Sequence, residues 1–207
     1  MKSEIRSREI IEYFNNLGPV WDEHVGNDNE RRENIRTVFN MIDLRPGYRV
    51  LDVGSGNGVL LPVIEEKIGA EGAITAVDSA PSMIERAKQL HTAYRNIEYM
   101  AGIIEDISFE PESYDAVLCF AVFPHISNKV KALQNFNRLI KPGGLLYIFH
   151  LADTASLNSF HSSLNSPVRH DLLPEREELT SMIELSGFVV KRYIDRTGLN
   201  FVESVKC

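Results

Sequence analysis

Two features of the 207-residue sequence predict an α/β fold, a mostly parallel sheet with helices on both faces. From Arg49 onward, apolar strand-like runs alternate with helical runs, the pattern of a parallel sheet built from crossover units. The first of these strands lies in VLDVGSGNG, residues 50–58, and runs directly into a glycine loop and a helix. In an open α/β sheet, ligands bind outside the carboxyl ends of the strands at such a loop.

Taken in order, residues 4–16 and 29–43 have helical apolar spacing, and Ile35, Val38, Phe39 and Ile42 share one face of the second run. Asp28 or Asn29 supplies its N-cap. Between these helices, LGPVWDEHVGND carries glycine, proline and the single tryptophan and is predicted to be a contacting loop. The alternating region predicts strands at 49–53, 73–77, 97–101, 115–120 and 144–150, with helices at 58–68, 81–93 and 128–140. The remainder predicts a helix at 154–164, another after Pro174 reaching Ser186, and strands at 188–194 and 201–206 joined through DRTGLN. So short a connection requires the last two strands to pair antiparallel. One domain is expected over 1–207: a helical cover at 1–44, a core at 45–150, and substrate-side helices with a closing hairpin at 151–207.

Composition narrows the functional classes. Hydrophobic residues make up 43% and charged residues 25%, ordinary for a globular chain. No apolar run approaches the roughly 18 residues a membrane span needs, so no membrane partner is expected. MKSEIRSREIIEYF lacks a secretory h-region, which makes the cytoplasm the expected location. Cys119, in a predicted strand, and Cys207 match neither a disulfide framework nor a zinc site and are expected to be plain thiols. A net charge of −7 opposes general nucleic-acid binding, which needs cations against phosphates, so a small-molecule substrate is expected. Oligomeric state is not legible.

Asp52, Gly54, Gly56 and Gly58 form D-x-G-x-G-x-G at the end of the first strand. Glycines let the backbone approach a ligand and turn sharply into the helix. The loop lacks the Gly-Lys-Ser/Thr ending of a phosphate-binding loop, and Val59 stands where a dinucleotide fingerprint needs its third glycine. The second strand, AITAVD, ends at Asp78, where a carboxylate can accept from both hydroxyls of a ribose. Asp78 suits any adenosine ligand, NAD included; Asp52, two residues before the first glycine, suits the aminoacyl end of a cationic ligand better than a pyrophosphate. Each glycine alone could instead be a structural turn.

VLDVGSGNGVLLPVI, ITAVDSAPSMIERAK, YDAVLCFAVFPHI and RLIKPGGLLYI resemble successive motifs of the class I S-adenosylmethionine-dependent methyltransferases, in particular the small type 11 group. The resemblance covers about residues 45–150. It implies a Rossmann-like sheet of seven strands in the order 3-2-1-4-5-7-6 with strand 7 antiparallel, and S-adenosylmethionine as methyl donor. It further implies that Asp52 and the loop Gly54, Ser55, Gly56, Gly58 hold the methionine part and Asp78 the ribose, with Ser79, Ala80 and Met83 on one side of the adenine. Phe120, the last residue of the fourth strand, is counted on the cofactor side. One segment departs from the family pattern: GIIEDISF at 102–109 replaces GDAEDLPF, so Ile103 cannot accept from the adenine amino group. Backbone groups of Ile103 and Ile104, or the carboxylate of Glu105, would substitute, and the isoleucines would still sandwich the ring.

Methyl transfer from a sulfonium is an in-line displacement that depends mainly on positioning. Where the acceptor must lose a proton, histidine is the natural base near neutral pH. His125 follows the fourth strand and His150 ends the fifth, which puts both candidate catalytic residues on the cofactor rim; His161 lies on a segment expected to fold over it. Three converging imidazoles, His125, His150 and His161, would form either a divalent-metal site or a polar substrate pocket, unless the first is structural and the others solvated. His170 and Asp171 in SPVRHDLLP are either an addition to this group or part of an exposed loop. The N-terminal helices cover the acceptor in the resembled family, which makes Tyr13 and Trp21, with His161, candidate substrate contacts, although helical spacing also suits Tyr13 and Phe14 to core packing. CFAVFPH lacks the Asn/Asp-Pro-Pro-aromatic tetrapeptide that orients a nucleic-acid amine, and two cysteines are too few for arsenite. A small organic acceptor remains, with its nucleophilic atom open. A cofactor-binding protein without transferase activity and, at a distance, an NAD-dependent oxidoreductase are the alternatives.

Overall fold

The parallel centre of the sheet is formed by β1 (Arg49–Val53), whose RVLDV sequence is buried after its first residue and pairs in parallel with β2 (Ala73–Asp78) on one side and β4 (Tyr114–Phe120) on the other. The computed structural model describes residues 2–21 and 29–207; Asp22 and the alternative N-cap Asp28 lie outside them. Outward from β2 lies β3 (Ile97–Ala101), and outward from β4 lies β5 (Ile140–His150). β7 (Leu199–Lys206) pairs antiparallel with both β5 and β6 (Phe188–Arg196), which completes the order β3-β2-β1-β4-β5-β7-β6. Only Thr197 and Gly198 connect β6 to β7; Gly198 has φ +79°, as so tight a hairpin demands.

The helices are α1 (Lys2–Leu17), α2 (Asn29–Phe39), α3 (Leu61–Ile68), α4 (Pro81–Leu90), α5 (Lys129–Leu139), α6 (Thr154–Ser163) and α7 (Arg176–Leu185). Their ends differ from the sequence expectations for local reasons. α2 stops at Phe39 because residues 40–42 tighten into overlapping turns. α3 starts at Leu61 rather than 58, since Gly58 bonds back to the Ser55 carbonyl and Pro62 opens the helix. α4 ends at Leu90 because His91 leaves helical geometry, its Nε2 bonding the Asn57 carbonyl at 3.0 Å. β5 reaches back to Ile140, with an irregularity where Tyr114 pairs Ile140 and Ala116 next pairs Leu145; Pro142, Gly143 and Gly144 lie in that excursion. Three short 3₁₀ turns, Gly18–Val20, Phe123–His125 and Pro167–His170, have no counterpart in the expectations.

Alternation along the strands divides the core between the two sheet faces. Leu51, Val53, Val117, Cys119, Leu146 and Ile148 pack with Phe123, Phe136 and Ile183 on one face. Val50, Leu118, Phe120, Tyr147 and Phe149 pack with Phe39, Ile64 and Phe201 on the other. Full burial of such a side chain contributes about 1.5–3 kcal/mol each. Both faces are therefore closed by helices, and the carboxyl ends of β1, β2, β4 and β5 are left as the place where polar side chains meet. Among the described residues, no helix is long and apolar enough to cross a membrane.

Candidate active site

A cavity of about 340 Å³ opens at those carboxyl ends. Its floor is Val53, Gly54 and Gly56 at the end of β1, Asp78 and Ser79 at the end of β2, Ala121 and Val122 after β4, and His150 ending β5. Ser7, Ile10, Ile11 and Phe14 of α1, at i, i+3, i+4 and i+7, form the roof with Trp21. Ser82 holds α1 in place, its N–H and Oγ donating to Asn15 at 2.9 and 2.6 Å.

Within the glycine loop, the two positions nearest the cavity differ in what they require. A Cβ on Gly54 (φ +65°) would lie 2.1 Å from Val122 Cγ2, so this glycine allows the chain after β4 to approach. A Cβ on Gly56 (φ +54°) would meet nothing nearer than Trp21 Nε1 at 3.8 Å, and this backbone faces open cavity. The loop is tied to β2: the Asp78 carboxylate accepts from Gly56 N–H at 2.9 Å and Ala80 N–H at 2.8 Å, and Ser55 N–H donates to the Val77 carbonyl. Each Asp78 oxygen retains capacity for a further donor. Burial raises the Asp78 pKa, offset in part by those two N–H bonds and by His125. Asp52 is 1% exposed, and its Oδ2 has no hydrogen-bond partner. Burial, and secondarily Asp78, push its pKa up to about 8.

Opposite the loop, His125 stands in the 3₁₀ turn after β4, preceded by Ala121, a non-glycine residue at φ +54°. Its ring meets Phe14 at 5.0 Å and His161 at 5.1 Å between centroids, and its Nδ1 is 2.9 Å from Asp171 Oδ2. Arg6 of α1 donates to the other oxygen of Asp171. Burial raises the Asp171 pKa, but the bonds from His125 and Arg6 outweigh it and hold the carboxyl below its ordinary value. His161 Nδ1 donates to the Asp171 carbonyl, and burial leads the causes that lower its pKa. His150 is 2% exposed with neither ring nitrogen hydrogen-bonded, and burial drives its pKa down to about 3. It is a neutral imidazole with a donor and an acceptor both unmet.

Of the residues singled out from sequence, Gly54, Gly56, Asp78, Ser79, Met83, Ile103, Ile104, His125, His150, His161 and Trp21 share the cavity wall. Asp52, Ser55, Gly58 and Ala80 do not line it. Phe120 does not reach it: residues 118 and 120 point to the face opposite Cys119, and its ring stacks on Phe149 at 5.0 Å with Arg31 above it at 5.8 Å. Tyr13 is also off the wall, where its neighbour Phe14 takes the facing position. Glu105 lines the cavity, but its Oε1 accepts from the Asn128 N–H at 3.0 Å. The metal reading of the three histidines finds no support: among the described residues no group of three or more His, Cys, Asp or Glu is arranged to hold a metal ion. The Nδ1 atoms of His125 and His161 are engaged by the Asp171 carboxylate and carbonyl respectively. Asp171, offered from SPVRHDLLP as an addition to the histidines or part of an exposed loop, bonds His125, while Arg6 and Phe160 belong to the site without having been assigned to it from sequence; for Phe160 the signal was its adjacency to His161.

The sequence model of a methyltransferase domain matches residues 44–187. The chain belongs to the methyltransferase domain family. Among curated relatives of this methyltransferase-domain protein, a ubiquinone biosynthesis O-methyltransferase of Xanthomonas campestris is 36% identical over 112 residues, which is 53% of this chain and 45% of that protein. The chain thus matches under half of that relative's length. A ubiquinone/menaquinone biosynthesis C-methyltransferase of Idiomarina loihiensis is 26% identical over 188 residues, 79% of this chain and 75% of that one. A S-adenosylmethionine-dependent methyltransferase structure from Aquifex aeolicus superposes with TM-score 0.74 at 22% identity, covering 91% of this chain and 98% of the other. The cyclase SpnF superposes with TM-score 0.76 at 14% identity over 97% and 96% of the two chains, so the same fold also carries a differently named chemistry.

Proposed function

We propose that this protein transfers a methyl group from S-adenosylmethionine to a small organic acceptor. The observation that carries the proposal is a single cavity walled on one side by the Gly56 and Asp78 region and on the other by His125, His150 and His161. The residues fit the donor. Asp52 has an orphaned buried oxygen and a proton held up to about pH 8 by burial, the state a nearby cationic ligand would relieve. Asp52 and the loop from Gly54 to Gly58 would hold the methionine part, Asp78 the ribose, and Ser79, Ala80 and Met83 the adenine face opposite Ile103 and Ile104. When bound, the sulfonium supplies an electrophilic methyl group. The chain's own part is to orient the acceptor beneath α1, between Phe14, Trp21 and Phe160, and to exclude water. His125 and His150 act on the acceptor's polar groups, with His161 beside them. The names of the curated relatives support a small-molecule acceptor.

Calorimetry with S-adenosylmethionine and S-adenosylhomocysteine tests the donor half. Saturable binding of both is expected, and no binding of either refutes the proposal. Tight donor binding with no methylated product from a broad metabolite extract would assign the chain as a binding protein instead.

A further inference from the structure

His125, on the cavity wall, and the buried Asp171 are 46 residues apart in sequence and belong to different segments, yet their side chains meet at 2.9 Å. Asp171 is 3% exposed and held in the ionised form by His125 and Arg6. A carboxylate only accepts hydrogen bonds, so the Nδ1 of His125 carries a proton, and in the neutral imidazole Nε2 presents its lone pair. This arrangement orients an imidazole for taking a proton and stabilises the imidazolium that results.

The charge around it is otherwise balanced. Arg6, from α1, is spent on Asp171; His150, at the end of β5, and His161, on α6, both have lowered pKa values; Asp78, at the end of β2, already accepts two backbone N–H groups. Ile10, Phe14, Leu157 and Phe160 share the wall with Ser7, Ser127, Arg31 and Glu105; Arg31 lies over the Phe120 ring and Glu105 accepts from the Asn128 N–H. Such a space suits a neutral ring compound carrying few polar groups, and His150 offers one unmet donor and one unmet acceptor to them.

Resting on the methyltransferase reading, we propose that His125 and Asp171 form a base that deprotonates a phenol or enol hydroxyl of the acceptor, while His150 holds a neighbouring polar group of the same ring. As the acceptor oxygen bonds to the methyl carbon, the carbon–sulfur bond of the donor breaks with its electron pair going to sulfur. The hydroxyl proton passes to Nε2 of His125. His125 is the catalytic residue and Asp171 the positioning residue.

The test begins without methyl donor. 4-Nitrophenol and 4-nitrocatechol absorb differently as phenol and phenolate, so titrating each against the protein reads the ionisation of the bound probe directly. In the wild type the apparent pKa of the bound probe should fall by about one unit or more. His125→Asn should abolish that fall, and Asp171→Asn should reduce it. Failure of either probe to bind the wild type, or equal ionisation in wild type and His125→Asn, overturns the proposal. With donor and 4-nitrocatechol, His125→Asn should lower kcat about 100-fold or more. Asp171→Asn should lower kcat at nearly constant KM, which a merely structural role would not do. Should Asp171→Asn fail to fold by circular dichroism, the His125→Asn comparison still decides. Calorimetric loss of donor binding in the wild type would refute the methyltransferase reading itself, whereas donor binding with unchanged probe ionisation refutes only the dyad.

Discussion

At the scale of single residues, Asp52 poses the sharpest electrostatic conflict. Its folded-state pKa of about 8 lies above the ordinary aspartate value, so the folded protein binds this proton more tightly than the unfolded chain does. The sign follows: the Asp52 contribution to stability is complete below about pH 4 and declines as pH rises towards 8. Asp52→Asn should therefore raise the melting temperature of the ligand-free protein at pH 8 and leave it nearly unchanged at pH 4. The same variant should bind S-adenosylmethionine at least about 10-fold more weakly, because a cation loses its carboxylate partner. Calorimetry in buffers of different ionisation enthalpy should detect proton release when the wild type binds the donor at pH 7, and no release in Asp52→Asn. Gly54 poses a steric conflict. Its Cβ would fall 2.1 Å from Val122, so Gly54→Ala should cost about 1–3 kcal/mol in urea denaturation, and Val122→Ala should recover part of that loss in the double variant.

At the scale of elements, α1 is joined to the site by few but specific contacts. Arg6 bonds Asp171, Ser7 Oγ lies 2.8 Å from Ser127 Oγ, and Asn15 receives Ser82. Arg6 is half-exposed while Asp171 is buried, so the pair contributes less than a fully buried one would. Arg6→Met should lower global stability by only about 1 kcal/mol, but it should speed amide exchange in α1 well above that of the sheet. Equal exchange in α1 before and after the substitution would show that the helix is held by its apolar face alone. The Asp171 pKa runs opposite to that of Asp52: it is depressed on folding, so its contribution exists above the ordinary aspartate range and is lost as acid protonates it. How much of this was legible depends on the range of the cause. Phe14 rather than Tyr13 facing the cavity follows the i, i+4 spacing from Ile10, and Phe120 turning away follows the period of two that sets Cys119 opposite it. The sequence held both signals. The meeting of His125 with Asp171 depends on how a 3₁₀ turn and a loop 46 residues later pack together, and no local pattern encodes it.

At the scale of the whole molecule, the strand order and closing hairpin were legible because alternation, a glycine turn and short connections are local signals that agree with one another. That agreement also separates the molecule into a sheet with two packed faces and a cover that rests on its rim. Trp21, the single tryptophan, belongs to the cover: it packs edge-on to Phe14 at 5.9 Å and stands over Gly56. Its fluorescence therefore reports the roof, whereas far-ultraviolet circular dichroism reports mainly the sheet and its helices. No described residue of α1, and not Trp21, belongs to the buried core of either sheet face, so local opening of this roof should need less free energy than global unfolding. In urea, the Trp21 transition should precede the circular dichroism transition. A donor bound between roof and floor stabilises only the closed form, by about 2.7 kcal/mol at 100 times its Kd. Saturating S-adenosylhomocysteine should accordingly move the fluorescence midpoint up until the two transitions merge. Coincident midpoints in the ligand-free protein would refute an independently opening cover, and separate midpoints that the ligand leaves unmoved would place its site elsewhere than beneath α1.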